Sequence, residues 1–433
     1  MARIAIIADD LTGASDTGVQ FARKGLPTRV LFDAAALDKV PAGAEAVAID
    51  TDSRAIAPSE ARERSRMAAE YVRRAGIEHV FKKADSTLRG NLGPEIDGIL
   101  AELDVDVAVA ALAFPRLGRT TVGGRHYLRG LPLEETEIAN DPKAPVRQSL
   151  IGKLIESQAP RKTGGIGLEV LRSGPSAVLA ALAALRAAGA EVIIFDAAEE
   201  EDLERMARAV AGSGLRVLWV GSAGLADYLP AVLGLGAPRG GSEAAPANTG
   251  VGGPVMLVAG SVSPTTRAQV GSVQQEPGVA AVELNPRAIF GEADGELERC
   301  ELLLAAALSE SRDVALVSGT LPEQVTGSRE AGARLGLDAT AVSDRIAAAL
   351  GEVTARLVGR FAMRGLVLTG GDTAKAVCRR LGVSGLEVLH ELEPGVPLSR
   401  MTGGGNLLVV TKAGAFGTAE TLVRALKMLK GEQ

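Results

Sequence analysis

Three short stretches place charged and hydroxyl groups directly after apolar runs. Asp9-Asp10-Leu11-Thr12-Gly13 follows IAIIA, Thr51-Asp52-Ser53-Arg54 follows AVAID, and Ser86-Thr87-Leu88-Arg89-Gly90-Asn91 follows VFKKAD. Asp9, Asp10, Asp52 and Asp85 can accept hydrogen bonds from hydroxyls. Lys83, Arg54 and Arg89 can hold a carboxylate, the arginines in bidentate fashion. Ser53, Ser86 and Thr87 add short hydroxyls. This mixture suits a small polyhydroxylated acid better than an apolar or aromatic ligand. Asp10 alone would be explained as a helix cap, since Asp is among the best N-cap residues. Capping needs one aspartate, and here there are two.

The second half of the chain puts glycine and hydroxyls at the corresponding places. Its junctions are Gly260-Ser261-Val262-Ser263, Ser318-Gly319-Thr320, Thr369-Gly370-Gly371-Asp372-Thr373 and Thr411-Lys412-Ala413-Gly414-Ala415-Phe416-Gly417. Glycine lets backbone approach a ligand, and a following helix turns free N–H groups and a positive dipole end toward phosphate. A phosphate cradle is therefore expected, with Asp372 and the hydroxyls of Ser261, Ser263 and Thr373 as candidates to hold Mg²⁺ directly or through water. Neither a G-x-x-x-x-G-K-[ST] loop nor a G-x-G-x-x-G after a strand occurs.

The elements that must position these groups are legible in the patterning. Short β-branched runs alternate with helical patterns, which predicts an α/β fold of two domains, each a mostly parallel sheet flanked by helices. Strands are expected at Ile4–Ala8, Ala46–Ile49, Val80–Lys83, Val107–Leu112, Val192–Phe195 and Val217–Val220, then in PVMLVAGS, VALVSG, GLVLTGG and NLLVVTKAG. In an open parallel sheet the carboxyl ends of the strands share one edge, where ligands bind. Glycine closes the helices GVQFARKG, SEARERSRMAAEYVRRAG and SAVLAALAALRAAG, as a left-handed cap prefers. The aperiodic stretch 236–253, GAPRGGSEAAPANTGVGG, reads as a linker between a substrate domain (1–235) and a second domain (254–433). The long polar segment from Phe114 to Pro142 is expected to be an irregular, functional connection, with His126 structural rather than catalytic.

Bulk properties narrow the class. A length of 433 residues favours two domains, and a net charge of −6 with 3% aromatics argues against nucleic acid. Cys300 and Cys378 show no metal spacing and are expected reduced. The N-terminus lacks the pattern of a signal peptide, and no apolar run is long enough to span a bilayer. A soluble, cytoplasmic protein with no membrane partner is expected.

Taken in order, ADDLTGASD, KADSTLRGN, the FP…GR…G segment with TEIANDP, GSxS, TGGDTA and TKAGAFG resemble the four-carbon acid sugar kinases. The likeness covers essentially the whole chain. It implies an N-terminal sugar-acid-binding domain, a C-terminal nucleotide-binding domain, and ATP-dependent phosphorylation of the terminal hydroxyl of a threonate, erythronate or 3-oxo-tetronate. Position by position, it implies substrate contacts at Asp9, Arg54 and Lys83 to Ser86. It also implies ATP contacts at Ser261 and Ser263, Gly370, Gly371, Asp372 and Thr373, and Gly414.

The residues themselves suggest a division of labour. Lys83, Arg54 and Arg89 compete for the substrate carboxylate, while Asp9, Asp85, Ser86 and Thr87 surround its hydroxyls. Asp10 is the first choice for the base and Asp85 the second. A homo-oligomer is compatible with the sequence. Two other classes are weighed: a nicotinamide-dependent sugar-acid dehydrogenase, disfavoured by the missing fingerprint, and a non-catalytic sugar-acid-binding protein.

Overall fold

The computed structural model describes residues 2–32, 34, 43–141, 143–236 and 252–432. Most of the expected linker, 237–251, lies outside the described residues. The chain divides into two compact units, Met1–Gly241 and Ser242–Gln433.

Among the described residues of the first unit, eight strands form one parallel sheet. They are β1 (Ile4–Ala8), β2 (Thr28–Leu31), β3 (Ala46–Asp50), β4 (His79–Lys83), β5 (Val107–Ala111), β9 (Thr163–Ile166), β10 (Val192–Phe195) and β11 (Val217–Gly221). Their spatial order is β2-β3-β1-β4-β11-β5-β10-β9. β1 is buried on both faces, which is why it reads as an unbroken apolar run. It pairs Ala8 with Asp50 on one side and with Lys83 on the other. The three polar stretches therefore leave the sheet side by side at one edge.

Helix α1 (Leu11–Arg23) follows β1, α2 (Pro58–Arg74) follows β3, and α3 (Leu92–Glu102) follows β4. The expected glycine caps are left-handed, with φ of 84° at Gly25, 65° at Gly76 and 87° at Gly189. Helices α2 and α3 pack so closely that a Cβ on Gly98 would stand 2.2 Å from the Arg62 carbonyl oxygen.

The segment expected to be irregular instead forms a small antiparallel sheet of β6 (Arg119–Val122), β7 (Arg125–Leu128) and β8 (Leu131–Pro132). Its first hairpin turns on Gly123 and Gly124, both at positive φ, the conformation that a two-residue turn matching strand twist requires. Asp196 accepts both of their N–H groups, at 2.6 and 2.9 Å.

The second unit holds β12 (Val255–Ala259), β13 (Val279–Leu284), β14 (Asp313–Ser318), β15 (Gly365–Thr369), β16 (Val383–Glu393), β17 (Val396–Gly403) and β18 (Leu408–Lys412). The order is β13-β14-β12-β15-β18-β17-β16. The first five strands are parallel, and β18, β17 and β16 continue antiparallel. Ala259 and Lys412 both pair with Thr369, so the glycine-rich junctions also emerge together. Among the described residues, no helix is long and apolar enough to cross a membrane.

Candidate active site

Arg54 sits at the centre of the first rim. Its Nε donates to Asp9 Oδ2 at 2.7 Å and its Nη2 to Asp9 Oδ1 at 3.1 Å. Nη1 and Nη2 also each donate to an Asp10 oxygen at 2.8 Å, and Asp85 Oδ1 lies 3.6 Å away. The rim thus resolves why a strand ends in two aspartates. Asp9 belongs to Arg54, while Asp10 serves Arg54 and also caps α1 by accepting the Gly13 N–H at 2.8 Å. Gly13 is needed there, because a Cβ would stand 2.6 Å from Asp10 Oδ1 and 3.3 Å from Lys83 Nζ. Gly90, at φ 96°, leaves room for Arg54, whose Cγ would lie 3.2 Å from an added Cβ.

Asp85 is engaged on both oxygens. Arg89 donates to them at 2.9 and 3.0 Å, Thr87 donates through its hydroxyl and its N–H, and Arg89 continues to Asp141 at 3.2 Å. Lys83 Nζ donates to the Ala84 carbonyl at 2.8 Å.

These contacts separate the three carboxylates. Burial pushes each upward, but Arg54 and the neighbouring lysines hold Asp9 below the usual carboxylate range. Arg89 and Arg54 hold Asp85 well below it. For Asp10, burial outweighs Arg54, the charges of Asp9 and Asp85 add to it, and the carboxyl is raised. Arg54, buried against these acids, stays firmly charged: burial opposes the cation, and Asp10, Asp9 and Asp85 more than offset it. Asp10 is also the most open of the three, with 23% of its side chain exposed against 2% for Asp9 and 11% for Asp85.

Behind this rim lie Lys82 and Glu95, which the sequence reading did not single out. Lys82, fully buried, pairs with Glu95 of α3 at 2.8 Å. Ser53 Oγ donates to Glu95 at 2.6 Å, and Thr51 and Ser53 share a hydroxyl contact at 2.8 Å. The signal was present: adjacent lysines in a strand buried on both faces must point to opposite sides, so each needs its own partner.

His126 is buried, as a structural histidine. Its Nε2 donates to the Ser86 carbonyl at 2.9 Å, and its Nδ1 accepts from Thr121 at 2.9 Å. Burial pushes its pKa down to about 4, although the Ser86 contact opposes the shift. Folding therefore disfavours the imidazolium, and the unfolded chain binds the extra proton between about pH 6.5 and 4. Stability falls as pH drops through that window. His126→Gln is expected to flatten this decline in urea midpoints measured at pH 7 and pH 5.

In the second unit, three glycine-rich junctions converge. A Cβ on Gly414 would meet Ser261 Oγ at 2.1 Å and Ser263 Cβ at 3.2 Å. Gly370, at φ 100°, lies against Ser261 and Thr373, and Ser261 Oγ accepts the Ser263 N–H at 3.2 Å. Gly371, Asp372 and Thr373 open the helix Gly371–Arg380, and Pro264 opens another immediately after Ser263. Every candidate nucleotide residue thus lies at one sheet edge. Lys412, which the sequence reading placed only in a junction, is buried and ties the third loop together. Its Nζ donates to the carbonyls of Ala413, Gly414 and Phe416 at 2.7, 3.1 and 3.1 Å. Burial lowers its pKa to about 8.

One unit carries an acid-and-cation rim and the other a convergence of glycine-rich junctions, in a two-unit α/β chain. Residues 4–229 match the sugar-binding N-terminal domain family and residues 256–422 the nucleotide-binding C-terminal domain family. A D-erythronate kinase of Heliobacterium modesticaldum is 35% identical over 97% of this chain and 95% of its own. A D-threonate kinase of Salmonella typhimurium is 34% identical over 98% and 97%. A 3-oxo-tetronate kinase of Methylobacterium radiotolerans is 33% identical over 98% of each. A solved Salmonella typhimurium structure, described as a putative tRNA synthase, superposes with a TM-score of 0.81 at 26% identity, covering 98% of this chain and 99% of that one. The chain belongs to the four-carbon acid sugar kinase family. Its class of activity is ATP-dependent phosphoryl transfer to an alcohol.

Proposed function

We propose that the chain transfers the γ-phosphoryl group of ATP to the terminal (4-) hydroxyl of a four-carbon sugar acid, with threonate, erythronate and 3-oxo-tetronate as the candidate acceptors. The observation that supports this most directly is the coexistence of two strand-end sites in one chain: hydroxyl acceptors around Arg54, and backbone brought close by Gly260, Gly370 and Gly414. On this reading residues 1–235 bind the sugar acid, 236–253 link, and 254–433 bind the nucleotide.

The chain's own groups divide the work. Asp10 takes the proton of the attacking hydroxyl, since it is the rim acid that is both raised and most open. Asp9 and Asp85 hold the arginines that shape the pocket, and Ser86 and Thr87 border it. The N–H groups at Gly371 and at Thr265, the first donor after Pro264, take phosphate oxygens. Among the described residues, no group of three His, Cys, Asp or Glu is placed to hold a metal. That suits Mg²⁺, which is commonly held by one or two carboxylates together with substrate phosphates and water, with Asp372 and the hydroxyls of Ser261, Ser263 and Thr373 as its protein contacts. When bound, Mg²⁺ neutralises phosphate charge. A cytoplasmic location and no nucleic-acid partner belong to the same reading, as do the free, buried Cys300 and Cys378. A homo-oligomer is compatible with it.

Coupled ADP release, measured across D- and L-threonate, D- and L-erythronate and 3-oxo-tetronates, tests the reading. Turnover with at least one of these acids and none with a nicotinamide cofactor is expected. Binding of the acids without ADP release would leave a sugar-acid-binding protein instead.

A further inference from the structure

Buried side chains turn the connection after β18 inside out. Lys412, 1% exposed, ends that strand, and its ammonium has three N–H bonds to give. They go to the carbonyls of Ala413, Gly414 and Phe416, at 2.7, 3.1 and 3.1 Å. The helix Pro264–Gln275 adds two more buried donors. Thr266 donates to the Gly414 carbonyl at 2.8 Å, and Gln269 donates to the carbonyls of Phe416 and Thr418 at 3.0 and 2.6 Å.

The peptide bonds here are trans, and the C=O and N–H of a planar trans peptide point in opposite directions. The peptides 413–414, 414–415 and 416–417 each give their oxygen to the ammonium. The N–H groups of Gly414, Ala415 and Gly417 therefore point away from it. None of the three has a hydrogen-bond partner among the described residues. Ala415 and Gly417 are exposed, and Gly414 stands against Ser261 and Ser263, so this loop adjoins the GSVS junction. Neighbouring N–H groups left free in this way are the material of an anion-binding concavity. The cation behind them adds to it, because a carbonyl bonded to a charged donor polarises its own peptide N–H. No carboxylate among the described residues lies within ion-pair distance of Lys412. Glu393, the acid whose charge reaches it, has Arg424 at 3.6 Å.

We propose that Lys412 is a positioning residue for the nucleotide: with Thr266 and Gln269 it holds the carbonyls of loop 413–418 inward, so that the N–H groups of Gly414, Ala415 and Gly417 receive phosphate oxygens. The inference rests on the kinase reading above and deepens it, since it gives the nucleotide site a cation that acts from behind the loop and not on the phosphate itself. It also accounts for a buried lysine with no acid bonded to it, whose desolvation the three carbonyls offset.

The test uses the full chain with Lys412→Met, Lys412→Gln and Thr266→Val. Lys412→Met removes all three donors and leaves their carbonyls to seek other partners, so KM for ATP is expected to rise roughly tenfold or more. kcat and KM for the sugar acid should stay near wild type, as for binding lost equally from ground and transition states. Lys412→Gln, with two N–H bonds and no charge, should recover part of the loss. Thr266→Val is nearly isosteric and removes one donor to Gly414, so it should raise KM for ATP by less. It carries the test if the Lys412 variants fail to fold. A merely structural lysine would lower the urea midpoint without moving KM for ATP. Unchanged KM for ATP in the folded variants therefore overturns the proposal. So does an equal rise in KM for the sugar acid, since the damage would then not be local to the loop. If the wild type phosphorylates none of the acids, the kinase reading fails separately. Calorimetry with ADP then decides: weaker binding by Thr266→Val supports the positioning role, and equal binding, or no binding by the wild type, overturns it.

Discussion

Asp10→Asn is expected to lower kcat about a hundredfold or more while leaving the chain folded. Asparagine is nearly isosteric and is as good an N-cap as aspartate, so α1 keeps its start through the Gly13 N–H. Arg54 keeps both oxygens of Asp9. What the variant loses is the proton-accepting carboxylate, and among the three rim acids this is the one whose basicity is raised. The pH profile separates a base from a merely structural acid. Because the Asp10 carboxyl is raised above its usual range, kcat/KM should fall as pH drops through that raised value, and Asp10→Asn should lose this limb. Asp85→Asn should behave differently: Asp85 is held well below the usual range, and its oxygens are committed to Arg89 and Thr87. Its loss frees Arg89 and disturbs substrate binding, so KM moves more than kcat. Near-normal turnover in Asp10→Asn would remove it from the role of base.

The contrast between Asp10 and Asp85 also marks where sequence reading stops. That both lie at one edge was legible, because a parallel strand buried on both faces is apolar throughout and its first polar residue marks the rim. Which acid meets which cation was not legible. Asp9 and Arg54 are 45 residues apart, and their pairing depends on the register of β1 against β3 and the left-handed turn at Asp52, where φ is 50°. Arg54 and Arg89 looked like free cations in sequence and are in fact neutralised. The strands that escaped notice share a reason as well. β16 reads VSGLEVLHELE, an alternation broken by bulges against β17 and rich in acids, and β2 and β9 are only four residues each. The hairpin of β6 and β7 hid in a polar stretch whose paired glycines are a turn rather than part of an irregular connection. In the second unit the convergence of the glycine-rich junctions at one edge was legible, whereas the role of Lys412 depended on three carbonyls brought to its ammonium by the fold.

The largest stability effect is expected at Glu95. Removing one member of a buried ion pair leaves the other charge unpaired, and Glu95→Gln strands Lys82, whose side chain is 0% exposed. A loss of about 3–5 kcal/mol is expected. The converse change should cost less. In Lys82→Met the carboxyl left behind is already raised by burial, so it can take a proton and become neutral at modest cost. Lys82→Met with Glu95→Gln should recover much of the loss seen in Glu95→Gln alone, because neither buried charge remains, and the double-mutant cycle then reports a favourable coupling. Trp219 makes this measurable in the first unit alone: it is the single tryptophan of the chain, it is buried in β11, and it pairs with Phe81, the residue just before Lys82. Urea midpoints followed by its fluorescence should fall most in Glu95→Gln, less in Lys82→Met, and partly return in the double variant. A double variant as unstable as the sum of the two singles would mean that the pair contributes no mutual stabilisation. The ion pair would then matter only through Ser53, whose hydroxyl bond to Glu95 holds the turn that carries Arg54 into the rim.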